Sequence, residues 1–598
     1  MSDPIPALPS RFDRLLARVV VQPRLGPWLA LAACLLSASC LGLGFYLDDF
    51  VGRYIYSDLP GAARLFDLYA GGYGLANGDP ADTHWQIEHG WAPWWTYDEL
   101  LIRLFRPLGV VTHWLDFQLW PDQPWAMRLH SLLWLALLVL AVTRMYRAAL
   151  GGVVGGLAAL LFAFDHTHGF VVGHISNRHS LITAVLAATC LSTHLRARAS
   201  SAPVQQLWAY GLYAAALASG ESAVAIAGYL CAHALCVERT PLARRLLLIA
   251  PYLAITVVWR ALYTQAGYGA TGSGLYIDPA RDPLVYLLAL VERAPVLLLG
   301  QFLGPPAEFY AVWHATWAHA MWLFACVVCV CLAAALWPLV RRDRVALFWL
   351  LGALASLVPA ASTYPHNRQL LFTSFGAMGL LAQLWHLHVV ELSNRATNRL
   401  LRFSQVIGGT VFLTHALISP LALPVATCSI AVTAPLQAAR ASLDADSAGR
   451  DVVFVNAPDY FAVKLVQLSQ LIAGATMPRR IRALSFGPEH ITVQRTAANA
   501  LELDFAEGIL STPFIELYRD RRIAMREHEQ IALEGLLIEV LALTTDQRAR
   551  RARFTFDAPL EDKQFLFYIW KAGRFERYLP PALGQRQALA PAELELRF

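Results

Sequence analysis

The strongest constraint on this chain is a series of apolar runs joined by short connections that carry arginine. The runs lie near 25–47, 127–146, 149–164, 180–195, 206–219, 222–237, 245–263, 316–338, 345–361, 369–389 and 403–424. Roughly 20 apolar residues in a helix span a bilayer core. Only a helix satisfies every backbone hydrogen bond within one such run. The pattern therefore predicts a polytopic α-helical membrane protein, although 149–164 and 206–219 are short for a full crossing.

Basic residues set sidedness, because short cytoplasmic connections retain them. Arg11, Arg14, Arg18 and Arg24 precede the first run, and no small-residue cleavage site follows it. The run is read as a retained helix, with residues 1–24 cytoplasmic. About eleven crossings then place Arg144/Arg147, Arg196/Arg198, Arg239/Arg244/Arg245, Arg341/Arg342/Arg344 and Arg395/Arg399/Arg402 all inside. The stretch 283–303 is apolar but holds Glu292, Arg293 and Pro295. Counting it as a crossing would move the 341–344 arginines outside, so it is expected to lie on the outer surface. A transmembrane domain over 25–435 results, with long outer loops at 48–126 and 264–315. The first loop holds Trp85, Trp91, Trp94, Trp95, Trp114 and Trp120, with Trp125 just beyond. Tryptophan favours the membrane–water boundary, so this loop is expected to form short helices on the outer leaflet.

Charge divides the chain. Asp, Glu, Lys and Arg make up 26% of residues 441–598 but 11% of residues 1–440. The last 158 residues read as an extracytoplasmic soluble domain, mainly β or α+β. Asp451–Asn456 is a short apolar strand, 491–505 and 551–556 alternate, and 459–474 has helical character. This domain shows no nucleophile motif and no metal cluster. All three lysines (Lys464, Lys563, Lys571) fall in it. A net charge of +5 over 598 residues does not suggest nucleic acid. The nine cysteines lie in or beside apolar runs and form no disulfide framework; Cys326, Cys329 and Cys331 read as small packing residues of a helix.

Chemistry-bearing residues gather at the outer ends of the runs. Asp48 and Asp49 follow the first run directly, and adjacent carboxylates at a membrane boundary are costly to desolvate. Asp165, His166, His168, His174, Arg178 and His179 share one short loop. The histidine spacings fit no common zinc pattern. Hydrogen bonding and phosphate contact suit the group better, since arginine forks two donors onto phosphate oxygens. Glu221 stands between two runs, and Arg368 opens a later one from the outer side. Glu221 can equally cap a helix or pair with an arginine, and Arg368 can equally snorkel.

These features resemble the GT-C superfamily, membrane glycosyltransferases that use polyprenyl-phosphate-linked sugars. An acidic pair after the first helix, an acidic outer loop after the third, and about eleven crossings carry that likeness over roughly residues 25–425. Locally, Ala158–His166 through Ser176–Leu181 is similar to the transmembrane and tetratricopeptide-repeat O-mannosyltransferases. Phe105-Arg-Pro-Leu108 with His113-Trp-Leu-Asp116, Arg368 followed by Leu371–Gly376, and the apolar lead-in to Glu221 are further landmarks. Two departures stand out. Gly220 replaces that family's usual Lys, and 441–598 has no 34-residue repeat.

The resemblance implies transfer of a sugar from a polyprenyl-phosphate donor to a protein, lipid or glycan acceptor on the outer face of a membrane, for which a bacterial inner membrane is expected. An acceptor hydroxyl needs a carboxylate base. Asp48 or Asp49 is expected to be that base, with Asp165 orienting the acceptor or a cation. His166, His168, His174, Arg178, Glu221 and Arg368 are expected to contact substrate or lipid phosphate. The carboxylates either hold Mg²⁺ or Mn²⁺ or act alone. A transporter or flippase of lipid-linked sugars, or an inactive membrane scaffold, are the alternatives.

Overall fold

The computed structural model describes residues 11–59, 62, 70–313, 315–391, 398–441, 443–511 and 514–593. Residues 1–10, Arg395 and 594–598 lie outside the described residues. The chain forms two compact units. One takes residues up to Gly44, Leu104–Ala266 and Asp282–Ile430; the other takes Phe45–Arg103, Gly267–Arg281 and the chain from Ala431 onward.

The first unit is helical. Among the described residues seven helices are long and apolar enough to cross a membrane: Leu25–Gly42, Pro124–Leu150, Ile175–Ser200, Leu242–Gln265, Pro283–Phe302, Ala315–Val340 and Arg399–Leu436. An eighth arises if Gly152–Ala163 and His166–Gly173, bent by 44°, count as one span. Length thus supports seven or eight of the roughly eleven expected crossings. The other runs form shorter helices, Pro203–Leu217, Val224–Cys236, Arg344–Ala360 and Leu371–His386. Proline at the first turn opens several helices, where its missing N–H costs nothing. Tyr146, Phe162, Tyr229 and Trp349 fill the interior. Leu247, Val257, Val330, Leu421 and Val425 point outward and are exposed, an apolar girdle suited to lipid rather than water.

Pro283–Phe302, expected on the outer surface, meets the length criterion for a span. The Tyr286 hydroxyl donates to the Val358 carbonyl and Arg293 to the Ala361 carbonyl (2.8 Å), both at the end of helix Arg344–Ala360. Gln301 donates to Asp165 and to Ser374, just past and just inside the ends of their helices. Along its middle it packs against helix Ala315–Val340, where Cys329 Sγ donates to the Pro295 carbonyl (4.0 Å).

The second unit is β-rich. Its six-stranded antiparallel sheet runs in the order Arg586–Leu589, Ile491–Ala497, Ala500–Phe505, Ala549–Phe556, Leu536–Leu543, Gln530–Leu533. Leu503 pairs with both Val493 and Ala552, which sets the register. A four-stranded sheet has Asp451–Phe454 parallel to both Phe565–Lys571 and Arg480–Ala483. Asp451–Phe454 is buried throughout, as the centre of a parallel arrangement requires. Helix Tyr460–Ile472 crosses between two of these strands.

The outer loops are not simple appendages of the membrane helices. Gly74–Asn77, Leu101–Arg103 and Gly269–Thr271 form one three-stranded sheet. Trp91, Trp94 and Trp95, expected at the outer leaflet, are instead core residues of the second unit. Trp94 Nε1 donates to the Leu484 carbonyl (3.0 Å), and Trp95 meets Phe486 edge-on. The correction has a plain cause: an indole buries more apolar area inside a protein core than at a boundary and can still satisfy its N–H there. Trp114 and Trp125, in the helical unit, do stay exposed.

Candidate functional site

In the first unit, a sharp turn brings the predicted Asp165 loop together. Gly173 permits it: a Cβ there would lie 1.8 Å from the Thr427 carbonyl oxygen. Asp165 caps the turn that follows, its Oδ1 accepting from the Thr167 N–H (3.1 Å). Its Oδ2 accepts from Gln301 Nε2 (2.9 Å) and from the Ser374 hydroxyl. Asp165 is fully buried. These three bonds tie the ends of three helices together. His168 stacks on Phe162 and contacts Ser374 Oγ (3.3 Å), while His166 Nδ1 contacts Ser419 Oγ (2.8 Å). His174 joins Asn177 (2.7 Å) and Ser176 (3.1 Å). His166 and His168 flank Asp165, while the bonds of His174 to Asn177 and Ser176 stay within its own turn.

Arg178 also departs from expectation. It is completely buried and paired with Asp116. Its Nε donates to Ser131 Oγ (3.0 Å) and its Nη2 to the Met127 carbonyl (2.6 Å). His130 Nδ1 meets the other Asp116 oxygen at 2.7 Å, while Trp134 Nε1 donates to His130 Nε2. That pattern makes His130 the Nδ1–H tautomer. A guanidinium so engaged holds helices together and is not offered to a phosphate. Arg128 does similar work, donating to the carbonyls of Gly173, Leu43 and Gly44 at 2.9, 2.7 and 2.7 Å. The sequence reading passed over Arg128, although an arginine in an apolar run is itself a signal.

Other charges of the first unit are part-exposed. Arg106 Nε donates to Glu221 at 2.9 Å, with about a fifth of each side chain exposed. Tyr263 contacts the other Glu221 oxygen. Gly220 is packed: a Cβ there would meet Thr183 Oγ1 at 2.9 Å. Arg106 reaches Glu221 from its place just before helix Pro107–Leu119. Arg368 lies over the Tyr364 ring, and its charge acts on His174, His366 and Glu308.

In the second unit, Asp48 and Asp49 open helix Asp48–Ile55, where negative charge suits the helix dipole. Leu47 before them takes φ of +40°, a region costly for a residue with a branched side chain. Asp49 is buried and its Oδ2 accepts from the Tyr46 N–H (3.1 Å), which brackets the turn. Asp48 is exposed. Phe50, Tyr54 and Ile55 pack this helix against Leu465 and Leu468 of helix Tyr460–Ile472. Lys464, absent from the sequence expectations, is buried there with its ammonium over Trp91 and Tyr460, at 5.9 and 5.8 Å from the ring centres. Burial pushes the lysine pKa down to about 8 against the opposing pull of Asp48.

Among the described residues no three His, Cys, Asp or Glu side chains gather closely enough to hold a metal ion. The donor set fits Mg²⁺ or Mn²⁺ poorly. Asp165 accepts three hydrogen bonds from protein groups, and Asp49 brackets its own turn.

No protein-family model matches the sequence, and no curated protein is similar to it. A comparison with solved structures finds remote similarity to three chains. One is an oligosaccharyltransferase of Archaeoglobus fulgidus tethered with an acceptor peptide containing the NVT sequon, at 13% identity and a TM-score of 0.38 over 78% of this chain and 64% of that one. A second form of that enzyme, in complex with Zn and sulfate, gives 12%, 0.39, 77% and 62%. The third is ArnT from Cupriavidus metallidurans bound to undecaprenyl phosphate, at 14% and 0.34 over 77% of this chain and 89% of that one. The chain thus spans somewhat less than two thirds of the oligosaccharyltransferase it matches.

Proposed function

We propose that this protein is an integral-membrane glycosyltransferase that moves a sugar from a polyprenyl-phosphate donor to a hydroxyl acceptor on the extracytoplasmic face, with Asp48 as general base. The observation that carries the reading is the unequal placement of the acidic pair. Asp49 is buried as a bracket, while Asp48 is left exposed at the head of the same helix. A base must reach the proton it removes, and only an accessible carboxylate can. Arg368 and the Arg106–Glu221 pair are assigned to the donor phosphate. Arg178 and Asp165 are assigned to the fold.

The alternation of arginine-bearing connections supports an N-terminus in the cytoplasm and a C-terminal domain outside. On this reading Pro283–Phe302 lies on the outer surface, because counting it as a crossing would put the 341–344 arginines outside. A transporter of lipid-linked sugars is the second reading, and the bent pair around Asp165 favours it, since transporters use broken helices at their sites. Against it, Asp165 is already satisfied by protein groups.

The test is mass analysis of surface glycans and lipid-linked sugars in cells lacking this protein, complemented with wild type or with Asp48→Asn. A glycan that returns only with wild type, while the lipid-linked donor accumulates with Asp48→Asn, supports the transferase. Full restoration by Asp48→Asn refutes the assignment of the base.

A further inference from the structure

Glu308 follows helix Pro283–Phe302 in the first unit, and its carboxylate is held by a two-way clamp. Its Oε2 accepts the Asn367 N–H (3.0 Å), while the Ala307 N–H donates to Asn367 Oδ1 (3.1 Å). Gly300 makes room for the clamp, since a Cβ there would lie 2.8 Å from Asn367 Oδ1. The carboxylate is thereby seated against the residues that lead into Arg368. His366 Nδ1 lies 3.6 Å from Glu308 Oε2 and accepts the Arg368 N–H (3.0 Å). That acceptor role puts the proton of the neutral imidazole on Nε2. The His366 ring meets Tyr364 edge-on at 5.8 Å, and the Arg368 guanidinium lies over the Tyr364 ring, 5.2 Å from its centre. Printed side by side in the fold, an anion, an imidazole N–H and a cation share one chain of contacts.

A carboxylate is more than the clamp needs, because the amide oxygen of a glutamine would accept the Asn367 N–H as well. The second oxygen, Oε1, has no hydrogen-bond partner among the described residues, and 24% of the Glu308 side chain is exposed. His366 Nε2 likewise has none among the described residues. A hydroxyl both donates and accepts, so it suits an open carboxylate oxygen beside an imidazole N–H. We propose that Glu308 is a specificity-determining residue, accepting a hydrogen bond from a hydroxyl of the sugar whose phosphate Arg368 holds. The proposal rests on the reading of Arg368 as a ligand of the donor phosphate. His366 Nε2–H donates to an oxygen of the same sugar, and the clamp keeps both groups at a fixed distance from the Arg368 backbone. A donor that lacks this hydroxyl is disfavoured, because it would cover the carboxylate without replacing its bond to water.

Binding to the full chain in detergent tests this with two lipids, polyprenyl phosphate alone and the polyprenyl-phosphate-linked sugars extracted from membranes. Each variant is compared with wild type for each lipid. Glu308→Gln keeps the clamp and is expected to weaken the sugar-bearing lipid about tenfold, the loss typical of a hydrogen bond to a charged group. Its affinity for polyprenyl phosphate alone is expected to stay within about twofold of wild type, since that lipid offers no sugar hydroxyl. Arg368→Ala is expected to weaken both lipids, because both carry the phosphate. Wild-type affinity of Glu308→Gln for the sugar-bearing lipid overturns the proposal. An equal loss for both lipids also overturns it, as the mark of a merely structural role. If Glu308→Gln does not fold, Glu308→Asp, which withdraws the oxygen by one methylene, is read in the same way. Wild-type binding of both lipids by Arg368→Ala would instead remove the phosphate assignment beneath the proposal, whatever Glu308→Gln does.

Discussion

Asp116 and Arg178 form an ion pair with neither side chain exposed, in a unit whose interior is otherwise mostly apolar. Breaking such a pair from one side leaves a buried charge without its partner, at a cost of about 3–5 kcal/mol. Arg178→Ala is therefore expected to lower the unfolding temperature in detergent sharply. Arg178→Lys should also lose stability, because a single ammonium cannot reach Asp116, Ser131 and Met127 together. Normal unfolding with weakened donor use would return Arg178 to the substrate.

Gly173 gives a second structural test. A methyl group there would overlap the Thr427 carbonyl, which is backbone and cannot swing aside. Overpacking costs about 1–3 kcal/mol where neighbours can give, and here they can give little. Gly173→Ala should lower folded yield and protease resistance in isolated membranes. Wild-type resistance would show that the turn after Asp165 is free to open.

Much of this arrangement was legible from sequence, because its causes are local. The runs, the strand at Asp451, the 460–472 helix and the sheet hairpins follow from hydrophobic period and turn residues. What sequence could not reveal was pairing at long range. Asp116 and Arg178 are 62 positions apart, and nothing local says that their charges cancel. A predicted ligand thereby became a brace. Asp165 likewise read as a group facing acceptor or cation because its partners Gln301 and Ser374 lie more than a hundred residues away. The tryptophans of the first loop were placed by a residue preference that core packing overrode. Lys464 was visible only as one of three lysines, with no local hint that Trp91 and Tyr460 flank its ammonium.

Arg368 should behave differently from the base. A cation that holds a phosphate present before and during the reaction contributes to binding of ground and transition states alike. Arg368→Ala is expected to raise the donor KM with kcat little changed, and Arg106→Gln to do the same. Steady-state kinetics with varied donor checks this. A fall in kcat at unchanged KM would move these arginines into the chemical step.

Asp459 makes stability depend on pH. Its Oδ1 caps helix Tyr460–Ile472 through the Ala462 N–H (2.8 Å), and burial pushes its pKa up to about 6. Unfolded, the same carboxyl titrates near about 4. Between those values the folded state binds the proton more tightly, so this group's contribution to stability falls as pH rises through 6. Asparagine keeps the cap without the charge. Thermal unfolding of Asp459→Asn should exceed wild type at pH 8 and match it near pH 4. An equal difference at both pH values would contradict the raised pKa.

The central claim is that Asp48 takes the acceptor's proton during sugar transfer from a lipid phosphate. The direct measurement is release of polyprenyl phosphate from membrane-extracted lipid-linked sugar by the purified chain, with cell-envelope acceptor present, for wild type and Asp48→Asn of matched unfolding temperature. A general base contributes about 10²–10⁴-fold, so Asp48→Asn should fall by that order while donor KM stays unchanged. Release at the wild-type rate by Asp48→Asn, or none from wild type with any envelope fraction, would contradict the account.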